Sequence, residues 1–180
     1  MNQLLLLVSL YISSVSLQVT DGDDEIRWAD RSEITFEDFK GDVPGDSPWA
    51  ALTASYIYFN YSTSNGRIST IRVYASFKKN ESWMKTNRDD VLGHEQLHFA
   101  ITEYFARKLY ADSQALKEKT GDLSAAANSL FRKINESCDR LQATYDSETE
   151  HGIKTEEQTR WKAKVEAMLK EYDAYPAMTE

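Results

Sequence analysis

Two histidines and a glutamate stand close enough in the sequence to act on one metal ion. His94, Glu95 and His98 form the pattern His-Glu-x-x-His. On an α-helix each residue turns by about 100°, so His94 and His98 project from the same face one turn apart. Both imidazoles can then reach one metal ion, and Glu95 lies beside them, placed to activate a water molecule. The spacing therefore predicts a Zn²⁺ site with Glu95 as its catalytic residue.

A catalytic zinc ion usually has three protein ligands and a water, so two imidazoles leave one ligand to be found. The chain has three histidines, and the third, His151, is the first candidate. It ends a predicted second helix that turns back antiparallel to the first, which brings it beside His94. Glu148 is the alternative ligand, or a partner that orients an imidazole from behind. Asp146 is a further candidate for holding an imidazole N–H.

Two other hypotheses compete with a single metal site. His94 and His98 fall within an apolar helix stripe, so they can also be core histidines satisfied by their neighbours. Separately, Glu95-x-x-His98 and Glu148-x-x-His151 are two Glu-x-x-His pairs, and helix bundles use such pairs to hold two metal ions. That design needs a glutamate from each of two further helices, whereas this sequence offers one more helix beside a hairpin. We therefore favour one metal ion.

Hydrophobic periodicity predicts the elements that must position these residues. Two segments rich in Tyr, Ile, Phe and Thr, 51–61 and 67–78, flank Asn65-Gly66, a dipeptide favoured in type I′ turns. They predict an antiparallel hairpin. Three helices follow, at about 89–119, 123–150 and from 155 onward. The expected fold is α+β: a small antiparallel hairpin or sheet packed against three helices, the first two long and antiparallel, with the metal site on the first helix.

Local signals mark other boundaries. Ile34-Thr35-Phe36 is typical of a short strand, and the spacing of Thr155 and Gln158 is typical of a capping box that begins the third helix. Gly152 follows the second helix, where a glycine can end it in the left-handed conformation. Cys138 falls at helical spacing with apolar residues and is expected to be a core residue.

Composition and charge narrow the function classes. The net charge of −8 argues against a nucleic-acid partner, and a single cysteine excludes an internal disulfide and a cysteine-based zinc cluster. Residues 1–17 contain a short apolar run that predicts a signal peptide and a secreted or periplasmic protein without stable membrane insertion. Residues 18–27 are expected to be a flexible acidic lead-in, and 28–175 a single zincin-like metallopeptidase domain.

Several blocks of the sequence resemble one family. They are Gly93 to Phe99, the Ala106 to Leu109 stretch after it, Tyr145 to Gly152, and earlier stretches at Trp28, Asp30-Arg31, 34–41 and 50–53. Together they resemble the domain-of-unknown-function family 922 (DUF922), described as secreted zinc-dependent proteases, over about residues 28–168. The resemblance implies zinc ligands at His94 and His98, a catalytic Glu95 and a role for His151.

A peptidase of this kind needs two further parts. A hydrogen-bond donor must stabilise the oxyanion, and Tyr145 is the candidate because it lies near His151 in sequence, although its spacing also fits a core aromatic. The edge strand of the hairpin can align an extended polypeptide substrate. The expected function is therefore a secreted zinc-dependent peptidase with Glu95 as general base. The alternatives are a non-catalytic extracytoplasmic zinc-binding protein and the di-metal carboxylate protein.

Overall fold

The α+β fold expected from the sequence is confirmed by a computed structural model, which describes residues 24–175. The strands are β1 (Glu25–Arg27), β2 (Ala51–Leu52), β3 (Ser55–Ser64), β4 (Arg67–Lys78) and β5 (Trp83–Met84). The helices are α1 (Asp89–Ser113), α2 (Leu123–Thr149) and α3 (Thr155–Lys170), with short 3₁₀ turns at Phe36–Asp38 and Gln114–Glu118.

The strands form two small antiparallel sheets. The larger has the order β1-β4-β3, and the smaller pairs β2 with β5. In the predicted hairpin of β3 and β4, Ser55 lies opposite Phe77. Asn65 and Gly66 have φ values of 53° and 72°, the positive angles that a type I′ turn requires. The hairpin and its turn are therefore confirmed, although the first strand runs from Ser55 to Ser64 rather than over residues 51–61, and residues 51–52 belong to the other sheet.

The core lies between β4 and α1. Alternate residues of β4 point inward and are buried, among them Val73, Ala75 and Phe77, as the period of two in a strand requires. The apolar stripe predicted for the first helix packs against them, and all its members are buried: Leu97, Ile101, Phe105, Leu109 and Leu116. Cys138 of α2 is also buried, as expected. Helix α1 is thus fixed by its apolar face, which leaves its other faces free to carry polar groups.

The helix boundaries differ from the prediction at their ends. α1 stops at Ser113 and continues as the 3₁₀ turn, so the single helix expected to residue 119 is two pieces. The predicted capping box is wrong: Lys154 precedes α3 without a side-chain cap, and Gln158 reaches instead to Tyr145. Local sequence patterns failed here because a longer-range partner took the Gln158 side chain.

The predicted strand at residues 34–36 is also wrong. Residues 33–35 have no regular structure, and the 3₁₀ turn begins at Phe36. A side chain of α1 takes the place of a neighbouring strand: Gln96 Oε1 accepts from the N–H of Ile34, and its Nε2 donates to the carbonyl of Ser32, both at 2.7 Å. The Gln96 amide thus provides the backbone of this segment with the hydrogen bonds that a neighbouring strand would otherwise provide.

The predictions for residues 1–27 can be compared with the structure only from residue 24 onward. The predicted signal peptide, residues 1–17, lies outside the described residues, as do residues 18–23 of the acidic lead-in. Residues 25–27 of that lead-in form β1, which pairs with residues 76–78 of β4, so the folded domain starts before residue 28. Within residues 24–175, none of the helices combines the length and hydropathy needed to cross a bilayer.

One buried carboxylate stands apart from the predicted site. Glu103 of α1 is fully buried, and its Oε1 accepts a hydrogen bond from Arg107 Nε at 2.7 Å. Its Oε2 has no hydrogen-bond partner among the described residues. Burial disfavours the charged carboxylate more than Arg107 favours it, and this raises the pKa of Glu103 from 4.5 to about 7.

Glu103 should make the protein less stable as the pH rises. Because its folded pKa is above its unfolded value, the folded state binds the extra proton, and stability falls between about pH 4.5 and pH 7. The cost is on the order of 3 kcal/mol above this range. At each pH we subtract the melting temperature of the wild type from that of Glu103→Gln. We expect this difference to be larger and more positive at pH 8 than at pH 5. A difference that stays constant across this range would contradict the assignment.

Candidate metal centre

Two helices face each other across the candidate site. His94 and His98 lie one turn apart on α1, and Asp146 and Gln142 lie one turn apart on α2. His94 contacts Asp146 and His98 contacts Gln142, so residue numbers rise along α1 as they fall along α2. The helices are therefore antiparallel, as predicted, and each pair sits opposite the other.

Three atoms that carry lone pairs converge between these helices. His94 Nε2 lies 3.1 Å from His98 Nε2, and Asp146 Oδ1 lies 3.0 Å from the first nitrogen and 2.9 Å from the second. Tetrahedral zinc with ligand bonds of 2.0–2.1 Å separates its ligands by about 3.3 Å. The triangle is only slightly tighter than that, so one metal ion fits all three ligand atoms.

Gln142 fixes which nitrogen of His98 carries the proton. Its Nε2 donates to the carbonyl of His98 at 3.1 Å and to Thr102 Oγ1 at 3.2 Å. Its Oε1 therefore faces His98 Nδ1 as an acceptor, and Nδ1 must donate. Since a neutral imidazole carries one N–H, Nε2 is left with a lone pair that points into the triangle.

Gln158 does the same for His94. Its Nε2 donates to the hydroxyl of Tyr145 at 2.6 Å, and its Oε1 lies 3.3 Å from His94 Nδ1 as an acceptor. The Tyr145 ring stacks on the His94 ring with 4.6 Å between centroids and an interplanar angle of 20°. Both imidazoles are thus oriented by groups behind them, which is the usual support for histidines that bind metal.

The electrostatics of the triangle favour a positive charge at its centre. Burial disfavours the charged forms of Asp146 and His98, but their mutual contacts outweigh it. The pKa of Asp146 is lowered by its hydrogen bonds to His94 and His98. The pKa of His98 is raised by Asp146 and by the nearby charge of Glu95. Three acceptors within about 3 Å repel one another, so they need a cation between them: a proton, which makes the hydrogen bonds to Asp146, or a metal ion.

Glu95 lies beside the triangle on the wall of a cleft of about 570 Å³. The residue is 6% exposed, and within residues 24–175 no side chain forms a hydrogen bond to its carboxylate. Its backbone carbonyl accepts a bond from Thr53 Oγ1 at 3.3 Å, which ties α1 to the opposite wall. The carboxylate is therefore free to accept a proton from a molecule bound in the cleft.

His151 reaches the cleft but stands outside the triangle. Its Nδ1 is 3.6 Å from Asp146 Oδ1, and its ring centroid is 6.5 Å from that of His94. The ring also contacts Trp49, with 4.2 Å between centroids. α2 ends at Thr149, and the next residues, including His151 with φ of 54°, are left-handed. The role of His151 as a ligand stays a prediction, and Asp146 occupies the third position that the geometry offers.

The side chains of two other predicted site residues, Glu148 and Tyr145, form hydrogen bonds outside the triangle. Glu148 Oε2 accepts a hydrogen bond from Trp161 Nε1 at 2.8 Å and so faces α3. The Tyr145 side chain is fully buried, and its hydroxyl donates to the carbonyl of His94 at 3.2 Å while it accepts from Gln158 Nε2 at 2.6 Å. Burial raises the pKa of Tyr145. These contacts favour a supporting role behind the imidazoles for Tyr145 over that of an oxyanion donor.

Gly152 touches the back of one candidate ligand. Its φ is +86°, and a Cβ added here would lie 3.1 Å from Cβ and 3.2 Å from Cγ of His94. Glycine is needed both for the left-handed backbone and for the close approach. The turn after α2 therefore presses its backbone directly onto the His94 imidazole.

Sequence reasoning missed the two glutamines that orient the imidazoles. Gln142 and Asp146 have the same four-residue spacing as His98 and His94, and that match on two antiparallel helices was a usable signal. Gln158 was assigned to a capping box instead. No pattern within its own helix distinguishes a cap from a contact that crosses the fold.

Comparison with known proteins bears on the family alone. Residues 67–152 match the model of a family described as bacterial proteins of unknown function, DUF922. The match contains both helix segments of the site, His94 to His98 and Tyr145 to Gly152. Searches of curated proteins and of solved structures gave no significant match.

Replacing the third member of the triangle tests the ligand set. We expect Asp146→Ala to weaken zinc binding by more than about 100-fold, beyond the effect typical of lost supporting partners, because a ligand is removed. His151→Ala should weaken it less. Isothermal titration with ZnCl₂ measures both, with Asp139→Ala on the exposed face of α2 as the control. A larger loss in His151→Ala than in Asp146→Ala would make His151 the third ligand.

Gly152→Ala should disturb the metal centre without removing a ligand. The methyl group meets the His94 ring, so we expect zinc affinity to fall by about tenfold or more, as for other groups that orient a ligand. Gly121→Ala is the matched control, since Gly121 also has a positive φ but nothing lies within 4 Å of its added Cβ. Both variants carry backbone strain. Equal zinc affinity in the two would show that the Gly152 contact does not position His94.

Proposed function

Because the chain belongs, by its match over residues 67–152, to the DUF922 family, whose function is unknown, we propose a function from the site itself: a zinc-dependent peptidase. The observation that carries the proposal is the convergence of His94, His98 and Asp146 on one point beside the unpaired carboxylate of Glu95. Three ligands on one wall of an open cleft are typical of catalytic zinc, whereas structural zinc is closed by four.

In the proposed hydrolysis the three ligands and Glu95 have different roles. A zinc ion held by His94, His98 and Asp146 would act as a Lewis acid toward water and the scissile carbonyl. Glu95 accepts the proton of the attacking water at its carboxylate and delivers it to the nitrogen of the leaving amine. Atoms balance: water adds across the peptide C–N bond, and Glu95 returns to its charged form.

The cleft also offers a backbone edge to a polypeptide. Lys85 N–H donates to the carbonyl of Ala50 at 2.8 Å, so these two residues form a hydrogen-bonded pair directly beside the paired residues of β2 and β5. Such pairs alternate along an antiparallel ladder. Ala51, opposite Met84, therefore turns its N–H and C=O away from β5. Ala51 lines the cleft, and an extended peptide can pair with these groups as an added strand.

This edge differs from the one expected. The prediction assigned peptide alignment to the hairpin of β3 and β4, but neither strand lines the cleft. The edge strand that borders the candidate metal centre is β2. Because β2 has two residues, it can pair with only a short stretch of substrate beside the candidate metal ligands.

The alternatives fit the geometry less well. In the di-metal hypothesis Glu148 and His151 form a second pair, yet Glu148 is hydrogen-bonded to Trp161, and three helices are present among residues 24–175. A zinc site without catalysis has no use for a buried carboxylate that lacks a partner. The position of Glu95 therefore favours the enzyme.

Glu95→Gln separates chemistry from metal binding. We expect the variant to bind zinc as the wild type does but to lose about 10²–10⁴-fold in peptide hydrolysis, because an amide cannot accept the proton. Hydrolysis of a fluorogenic peptide library and zinc stoichiometry measure the two effects. Glu103→Gln, which changes the other buried glutamate of α1, is the control. Zinc-loaded wild type without any hydrolysis across the library would falsify the peptidase proposal.

A further inference from the structure

Exposed hydrophobic side chains gather at the cleft. Among the described residues, five large hydrophobic side chains are exposed, and three of them line the cleft: Trp49 at 48%, Leu52 at 41% and Ile153 at 78%. Single exposed hydrophobics are common on protein surfaces, but a cluster on the wall of one concave site indicates binding. The cluster comes from two separate segments, which the cleft brings together.

The cluster is held by ordered backbone on both sides. Ile153 N–H donates to the carbonyl of Glu150 at 3.3 Å, and Lys154 N–H donates to the carbonyl of Thr149 at 2.9 Å. On the opposite wall Trp49 rests against the ring of His151. The exposure of Ile153 is therefore fixed by a hydrogen-bonded turn, and its side chain is presented to the cleft.

The charges at the rim neutralise one another. Arg88 donates from Nε to Asp90 Oδ1 at 3.0 Å and forms a second contact to the same carboxylate. Glu150 pairs with Lys154 at 2.8 Å. Apart from the metal triangle, Glu95 and His151, whose Nδ1 lies 3.6 Å from Asp146, the ionisable groups that line the cleft are Arg88, Asp90 and Glu150. A charged substrate side chain would find no unpaired partner here, whereas an apolar one loses nothing by leaving water.

We propose that Trp49, Leu52 and Ile153 form a subsite for a large apolar side chain, and that the substrate is a polypeptide with such a residue next to the scissile bond. The proposal rests on the proposed function, since it takes the free edge of β2 as the place where the peptide backbone pairs. With the backbone held at Ala51, a neighbouring substrate side chain lies within reach of Leu52 and the rim.

The test measures binding rather than turnover. Two fluorescein-labelled extended peptides, identical except for Phe or Asp at one central position, are titrated into the zinc-loaded Glu95→Gln protein and followed by fluorescence anisotropy. We expect the Phe peptide to bind about ten- to a hundredfold more tightly, since burial of one large apolar side chain supplies that factor. The preference should persist without added zinc, because the subsite contains no ligand.

Variants in the same Glu95→Gln background locate the preference. Ile153→Ser and Leu52→Ser should each reduce the ratio of Phe to Asp affinity several-fold. Val43→Ser is the matched control, because Val43 is also an exposed hydrophobic but lies outside the cleft. Equal affinity for the two peptides, no binding of either, or a ratio that Ile153→Ser and Leu52→Ser leave unchanged would overturn the subsite.

Turnover by the wild type separates this proposal from the peptidase. If the Glu95→Gln protein prefers the Phe peptide through Ile153 and Leu52 but the wild type cleaves nothing, the subsite stands and the peptidase proposal fails. If the wild type cleaves Phe and Asp peptides at equal rates and binds them equally, the peptidase stands and the subsite is refuted.

Discussion

Three lone pairs that point at one place constrain the whole site. His94, His98 and Asp146 bring acceptor atoms within about 3 Å of one another, an arrangement that is unfavourable without a positive charge between them. The imidazoles cannot rotate their lone pairs away, because Gln142 and Gln158 hold the opposite nitrogens. The fold therefore holds three acceptor atoms at one point where a metal ion would fit, and the rest of the site is arranged around that point.

Residues 94–98 of α1 contact several different parts of the molecule. His94 and His98 face α2, while Gln96 holds residues 32 and 34 through its amide. Leu97 packs into the core with the sheet. The side chain of Glu95 remains for the cleft. Five consecutive residues thus serve four different surroundings, because a helix turns each successive side chain by about 100°.

The turn after α2 connects the candidate metal centre to the walls of the cleft. Gly152 presses on the His94 ring, His151 contacts Trp49, and Ile153 stands on the rim. Three successive left-handed residues, from Glu150 to Gly152, make this possible. Non-glycine residues adopt that conformation at a cost on the order of 1–2 kcal/mol each, so the surrounding contacts must hold it. A backbone strained in this way at a cleft is typical of a functional turn.

The sequence alone determined the features that depend on near neighbours. Helical spacing placed His94 and His98 on one face, and Asn65-Gly66 set the hairpin turn. Apolar periodicity gave the three helices and the α+β class. The tertiary structure decided which α2 side chain completes the triangle. His151 and Asp146 are five residues apart near one helix end, and the end at Thr149 together with the register against α1 puts Asp146 at the third position. Gln158 shows the same limit: a cap and a contact across the fold are each worth about 1 kcal/mol, so only packing chooses between them.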